Sequence, residues 1–310
     1  MRAIFLGTPE FAVPSLRALA RDHNVLAVFT QPDRPKGRGN KLVEPPVKQA
    51  AAALGIRVLQ PERIRRSPSP ELIESLAPEI AVVVGYGQII PQNIIDIPKH
   101  GILNVHASLL PKYRGAAPIQ WAIANGEART GVTIMQIDAG LDTGDMLAAQ
   151  AVSIEPDETA PELSARLADI GAELLVETIR RIEDGTVHRE EQDDREATLA
   201  PILRKEDGRV DWTLTATQIY NRLRGFTPWP GAYTSFRGAQ LSIVRARPAD
   251  SAGLSPGQLC VEKKRLLAGC GANTALELLE VQPAGKNRMS VEAFLNGYSV
   301  RENEFFGSEA

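Results

Sequence analysis

Residues 79–107, EIAVVVGYGQIIPQNIIDIPKHGILNVHA, contain two apolar runs, EIAVVVG and GILNVHA, that are rich in Val and Ile and show no period of two. A strand with one face in water alternates apolar and polar positions, whereas a continuous run suits a strand buried on both faces of a parallel sheet. Toward the N-terminus, RAIFLG (residues 2–7), NVLAVFT (24–30) and IRVLQ (56–60) repeat the pattern. Helix signals fall between the runs. Thr8-Pro9 offers an N-cap and a first helical residue, Pro45-Pro46 opens VKQAAAALG with Gly55 as its stop, and Ser69-Pro70 opens ELIESLA. This rhythm predicts an α/β, Rossmann-like, mostly parallel sheet with helices on both faces. Gly7 after the first strand hints at a ligand-facing turn, but no G-x-G-x-x-G follows and the dinucleotide fingerprint is absent.

Toward the C-terminus, GVTIMQID (131–138) and MLAAQAVSI (146–154) read as two strands joined by the turn-like AGLDTGD. From Ala160 to Glu183, Leu163, Leu167, Ile170, Leu174, Leu175 and Ile179 recur at helical spacing, which predicts one long amphipathic helix. The polar stretch DGTVHREEQDDREAT follows, and the texture changes after Gly208 to short strand signals between Gly and Pro: AYTSF, LSIVRAR, GQLCVEK, RLLAGC and ALELLEVQ. That pattern predicts a small barrel or sandwich. The expected domains are therefore residues 1–189, a linker over 190–207, and a second domain over 208–310.

A chain of 310 residues, 43% hydrophobic and 24% charged, has the composition of an ordinary globular protein, long enough for two domains. No apolar run reaches the roughly 18 residues of a membrane span. MRAIFLGTPEF lacks the cleavage pattern of a signal peptide and reads as a first strand. Cys260 and Cys270 show no zinc-ligand spacing and are too few for a disulfide scaffold, so buried thiols in a reducing, cytoplasmic setting are expected. The net charge of −3 is uneven. From Gly208 to Arg301, twelve Lys and Arg face six Asp and Glu, an excess of +6. A basic C-terminal third on an acidic body fits either a polyanionic partner or a solvated charged face.

The segments richest in chemistry are NVHASLLPKYRGAAPIQWAI (104–123) and TGVTIMQIDAGLDTGDM (130–146). Asn104 and His106, two apart at the end of an expected strand, project to one face. An amide beside an imidazole offers donors to a developing oxyanion, as acyl transfer requires. Asp142, in the Gly-rich loop after the next strand, is a candidate partner that would keep the imidazole a donor. No Ser or Cys sits in an evident nucleophile elbow, so a covalent acyl-enzyme is disfavoured. Taken singly, each of these residues has a bland alternative as a local cap or turn.

As a set they resemble one family. Asn104-x-His106-x-Ser108-Leu109-Leu110-Pro111-x-x-Arg114-Gly115, then TGVT from Thr130 and GLDTGD around Asp142, closely resemble the 10-formyltetrahydrofolate-dependent formyltransferases. GTPEFAVPSL (7–16), FTQPDRPKGRGNKL (29–42) and RGFTPWPGAYT (224–234) extend the resemblance over essentially the whole chain, toward the branch whose acceptor is initiator methionyl-tRNA. The last of these lies in a C-terminal domain that glycinamide ribonucleotide formyltransferases lack.

The resemblance implies direct attack of the methionyl amine on the formyl carbon. Asn104 and protonated His106 would stabilise the oxyanion, and Asp142 would hold His106 charged. The cosubstrate 10-formyltetrahydrofolate would lie along Ser108, Leu109, Leu110 and Pro111, its pterin bound by backbone groups of residues 85–90, with no metal or nicotinamide. Arg38 occupies the arginine position of a loop that enters the tRNA acceptor arm, and the loop's interleaved Arg, Lys, Pro and Gly suggest a mobile cationic segment. An oligonucleotide-binding-type β-barrel would supply backbone attraction, with Arg204 and Lys205 as further contacts at the hinge. Phe226 and Trp229 are expected to pack within that barrel. Alternatives are an amino-sugar-nucleotide formyltransferase, a formyltetrahydrofolate hydrolase and a non-catalytic tRNA-binding protein. Nothing requires more than a monomer.

Overall fold

The computed structural model describes residues 1–36, 41–250, 253–301 and 303–307. The chain divides into two compact units. One comprises Met1–Pro118, Arg129–Ser153 and Leu163–Pro201; the other comprises Ile119–Ala128, Ile154–Glu162 and Ile202–Ala310.

The first unit is built on strands β1 (Arg2–Gly7), β2 (Asn24–Phe29), β3 (Arg34–Lys36), β4 (Lys41–Val43), β5 (Val58–Leu59), β6 (Ile80–Val84), β7 (Ile102–His106), β8 (Arg114–Gly115), β9 (Arg129–Gln136), β10 (Met146–Ser153) and β11 (Leu199–Ala200). Its central sheet runs β10-β9-β7-β6-β1-β2-β5, parallel from β7 to β5 and antiparallel where β9 and β10 are added. All five apolar runs of the N-terminal half are strands, and every residue of β6 is buried. Its helices are α1 (Val13–Asp22), α2 (Pro46–Ala53), α3 (Ser69–Leu76) and α4 (Gln92–Ile95); α5 (Pro118–Ala124) belongs from Ile119 on to the second unit, and α6 (Ala160–Glu183), with the bounds that its periodicity predicts, belongs to the first from Leu163 on. On one face Ile4, Leu6, Ala81, Val83 and Ile102 pack with Ile73 of α3 and Ile94 of α4. On the other, α6 lies so close that a Cβ on Gly171 would sit 2.8 Å from Val105 Cγ1. Alternate residues of β7 therefore face opposite helical layers, and Asn104 and His106 share the layer of Ile102.

Thr8 does not cap α1. A 3-10 turn over Glu10–Ala12 intervenes, and the Thr8 hydroxyl instead donates to the Tyr86 carbonyl at 3.0 Å. A cap must face its own helix's N–H groups, and this hydroxyl is drawn across to the loop after β6. Gly7 is explained by packing, because a Cβ there would meet Phe5 Cε1 at 2.6 Å and the Val84 carbonyl at 3.1 Å.

The second unit holds α7 (Ala216–Gly225), β12 (Ala232–Phe236), β13 (Ala239–Ala249), β14 (Leu259–Glu262), β15 (Arg265–Cys270), β16 (Thr274–Pro283), β17 (Met289–Ser290) and α8 (Val291–Tyr298). The antiparallel sheet runs β12-β13-β16-β15-β14, with β17 also on β16. Two helices accompany the expected strands. Thr215 and Gln218 form a reciprocal capping box at the start of α7, and Phe294 of α8 and Leu223 of α7 join the unit's core. Phe226 is buried, edge-on to Trp121 at 5.3 Å. Trp229, expected to pack beside it, is 56% exposed. The Gly231 N–H donates to the Phe226 carbonyl at 2.9 Å, and the turn so closed leaves Trp229, between Pro228 and Pro230, at its tip.

Candidate active site

The site assembles within the first unit, at the carboxyl end of β7. Register places Asn104 opposite Met135 and His106 opposite Thr133 on β9. After β9 the chain enters the loop 137–145, closed at its base by the Gln136 N–H donating to the Asp145 carbonyl at 2.9 Å. Inside it, Asp138 accepts from the Thr143 hydroxyl at 2.7 Å and from the Gly140 N–H at 3.0 Å, a local turn that shapes the loop. Asp142 sits at φ +53°, left-handed for a residue with a side chain.

From there its carboxylate meets three groups. Oδ1 accepts from Asn104 Nδ2 at 3.3 Å, Oδ2 accepts from the Gly115 N–H at 2.8 Å, and Oδ2 lies 3.7 Å from His106 Nδ1. The other ring nitrogen of His106, Nε2, is 3.0 Å from the Tyr113 carbonyl and so carries the hydrogen that bond needs. His106 is only 5% exposed, so its interactions operate in a poorly hydrated setting where charge counts for more. Both ring nitrogens thus face oxygen, an arrangement that a doubly protonated ring satisfies. The structure brings Asn104, His106 and Asp142 into one cluster.

The chain after His106 is equally well held. Thr133 Oγ1 donates to the Ser108 carbonyl at 2.7 Å and accepts from the Leu110 N–H at 3.2 Å. Ser108 is fully buried with its hydroxyl committed to the Lys112 carbonyl at 2.6 Å, whereas Leu109 and Pro111 are half-buried. Gly115, at φ +121°, comes so near β11 that a Cβ would lie 2.7 Å from the Ala200 carbonyl. In the 85–90 segment Gly85 and Gly87 both have positive φ. Tyr86 is buried, which pushes its hydroxyl pKa up, and Gln88 is spent on the Ile64 N–H and the Pro61 carbonyl. Ile89, in the segment that follows β6, is an apolar side chain 89% exposed.

Several contributors escaped the sequence reading. The Tyr113 carbonyl and Gly115 N–H are backbone groups, invisible to a search by side-chain type. Gln192 lies in polar sequence yet is buried against the Asp142 loop. Arg38 lies outside the described residues; β3 and β4, which flank its segment, pair as an antiparallel hairpin. Arg204 and Lys205 are exposed. Among the described residues no helix is long and apolar enough to cross a membrane.

A doubly wound sheet presenting an amide, an imidazole and a carboxylate at one strand end is suited to transfer of an acyl group to a nucleophile. The family model described as formyl transferase matches residues 1–179, and that described as formyl transferase, C-terminal domain, matches residues 202–299. The chain belongs to the formyl transferase family. It is 58% identical over 309 residues to the methionyl-tRNA formyltransferase of Koribacter versatilis, covering 99% of each chain. It is 56% identical over 308 residues to that of Solibacter usitatus, again with 99% of each covered. Among solved structures, an N-formyltransferase from Helicobacter canadensis, in complex with folinic acid and dTDP-3-aminofucose, matches with a TM-score of 0.68 at 20% identity. That match covers 91% of this chain and 98% of the other, and it shows the fold alone.

Proposed function

We propose that this enzyme transfers the formyl group of 10-formyltetrahydrofolate to the amino group of initiator methionyl-tRNA, giving N-formylmethionyl-tRNA for translation initiation in the cytoplasm. The observation that carries the choice of acceptor is the high identity, over nearly the full length of both chains, to methionyl-tRNA formyltransferases. The likeness to a sugar N-formyltransferase lies at the level of fold and does not favour an amino-sugar acceptor.

In the proposed reaction the methionyl amine attacks the formyl carbon, forming a carbon–nitrogen bond and a tetrahedral oxyanion. Asn104 gives one amide hydrogen to Asp142 and has a second for the oxyanion. His106 Nδ1, at 3.7 Å from Asp142, is too far for a full hydrogen bond, so its hydrogen is available to the oxyanion while the carboxylate stabilises the charged ring. As the bond to the folate nitrogen breaks, one proton passes from the attacking amine to that nitrogen, and Asp142 is placed to relay it through a water. No step uses a metal or a second copy of the chain. Supporting a folate position along residues 108–111 are the Thr133 anchor and the half-buried Leu109 and Pro111; Ser108 contributes structure, since its hydroxyl is already bonded. Exposed Ile89 is an apolar surface of the kind a flat pterin would cover.

The test is transfer of labelled formyl from 10-formyltetrahydrofolate to purified methionyl-tRNA, run beside an amino-sugar nucleotide. Label on the tRNA is the expected result. Label on the sugar, or release of free formate without acceptor, would overturn it.

A further inference from the structure

Gln192 belongs to a stretch whose composition reads as linker, yet it is only 7% exposed and its side-chain amide is used to capacity. Nε2 donates to the Asp142 carbonyl at 2.9 Å and to the Gly144 carbonyl at 2.7 Å. Oε1 accepts from Arg114 Nε at 3.0 Å and from Arg114 Nη2 at 2.9 Å. With a guanidinium on one side and two carbonyls on the other, only one orientation of the amide satisfies all four contacts.

One carbonyl belongs to the residue whose carboxylate joins Asn104, Gly115 and His106, and the other lies two positions further along the same loop. Asp142 holds a left-handed φ of +53°, which a residue with a side chain keeps only where its surroundings insist on it. Arg114 is itself backed by Asp194 at 2.8 Å. The next residue, Gly115, gives its N–H to the Asp142 carboxylate, so the Arg114-Gly115 pair grips the loop twice, once through Gln192 and once directly.

We infer that Gln192, backed by Arg114, is a positioning residue for formyl transfer: it fixes the loop backbone so that the Asp142 carboxylate stays aimed at Asn104, Gly115 and His106. The inference rests on the catalytic role proposed for Asp142. In water-excluded sites a misplacement of about 1 Å costs on the order of 10²-fold in rate, so a residue that never touches substrate can govern turnover.

The decisive variant is Gln192→Glu, which keeps the Arg114 contact but replaces the two N–H donors with oxygen lone pairs facing carbonyls. Gln192→Met, of similar volume and without donors, is its companion. Each is assayed with 10-formyltetrahydrofolate and methionyl-tRNA, alone and combined with Asp142→Asn, and its thermal midpoint is recorded. The expected result is a kcat lower by roughly 10- to 100-fold with both KM values within about threefold of wild type. In the combined variant the loss should fall within about threefold of Asp142→Asn alone, because a residue acting through Asp142 has nothing left to position. A wild-type kcat in both single variants, or a loss that multiplies in full with that of Asp142→Asn, would overturn the inference and leave the proposed function standing. Wild-type turnover in Asp142→Asn would instead remove the catalytic role of Asp142, and the inference with it.

Discussion

At the scale of single residues, Asn104 and His106 differ in what their loss should do. Asn104 is half-buried and its amide makes one long bond to Asp142, so Asn104→Ala should lower kcat by about 10²- to 10³-fold with little change in stability. His106 is buried and its Nε2 satisfies the Tyr113 carbonyl. His106→Ala should therefore lose turnover on at least that scale and also cost about 1–3 kcal/mol of stability, since a buried ring and its hydrogen bond to the Tyr113 carbonyl are removed. Single-turnover kinetics paired with thermal denaturation separate the two. Equal destabilisation by both substitutions would count against the assigned hydrogen-bonding roles.

At the scale of elements, two pairings carry distinct consequences. Gly115 joins β8 to β11 at φ +121° and donates its N–H to Asp142. Gly115→Ala would force a Cβ against the Ala200 carbonyl, so we expect a loss of about 1–3 kcal/mol together with a drop in kcat. A variant as stable and active as wild type would show that β8 can shift freely. In the second unit, Glu277 on β16 is buried between Arg265, at 3.0 and 2.9 Å, and Arg247, at 2.9 Å, and this pairing lowers its pKa to about 2. A depressed carboxyl pKa stabilises the fold above the unfolded-state value of about 4.3, and that stability is lost as pH falls toward 2. The advantage of wild type over Glu277→Gln should be about 1–3 kcal/mol at pH 6, held down by the solvent exposure of both guanidinium groups. It should shrink to nothing near pH 2. Urea unfolding of the two proteins across that range reads it directly, and a difference independent of pH would exclude the ion pairs as its source.

For the molecule as a whole, recognition of a polyanionic acceptor is a matter of charge. Several cations of the second unit are already committed: Arg237 to Glu304, Lys264 to Glu292, Arg247 and Arg265 to Glu277. The net +6 already counts Glu277 and Glu292, so attraction to the tRNA backbone should come mainly from the cations outside these pairs. Arg38→Ala should weaken use of methionyl-tRNA and flatten the slope of log kcat/KM against log salt by about one or slightly less. Neutralising cations of the second unit should instead lower affinity for all tRNAs alike. Comparing initiator and elongator methionyl-tRNA with Arg38→Ala across salt tests this. Intact discrimination between the two would move specificity elsewhere.

Much of this architecture was legible in local pattern. The five apolar runs determined the parallel strands because a strand covered on both faces is apolar at successive positions and not at every second one, and the heptad-like spacing from Leu163 to Ile179 determined α6. Asn104 and His106 were legible as a pair because two-residue spacing on a strand is a geometric constraint. Helices α7 and α8 were not, because each spans only two to three turns among Gly- and Pro-rich strand signals, although Thr215 and Gln218 mark the start of α7. The exposure of Trp229 depended on a turn closed by backbone groups, and the capping role of Thr8 gave way to a carbonyl 78 positions away. Above all, the grip on Asp142 could be decided only in three dimensions. Its partners beyond Asn104 and His106 are the backbone N–H of Gly115 and a glutamine 50 positions on, and no rule of local spacing relates residues whose contact exists only because β7, β8 and the segment before β11 fold together.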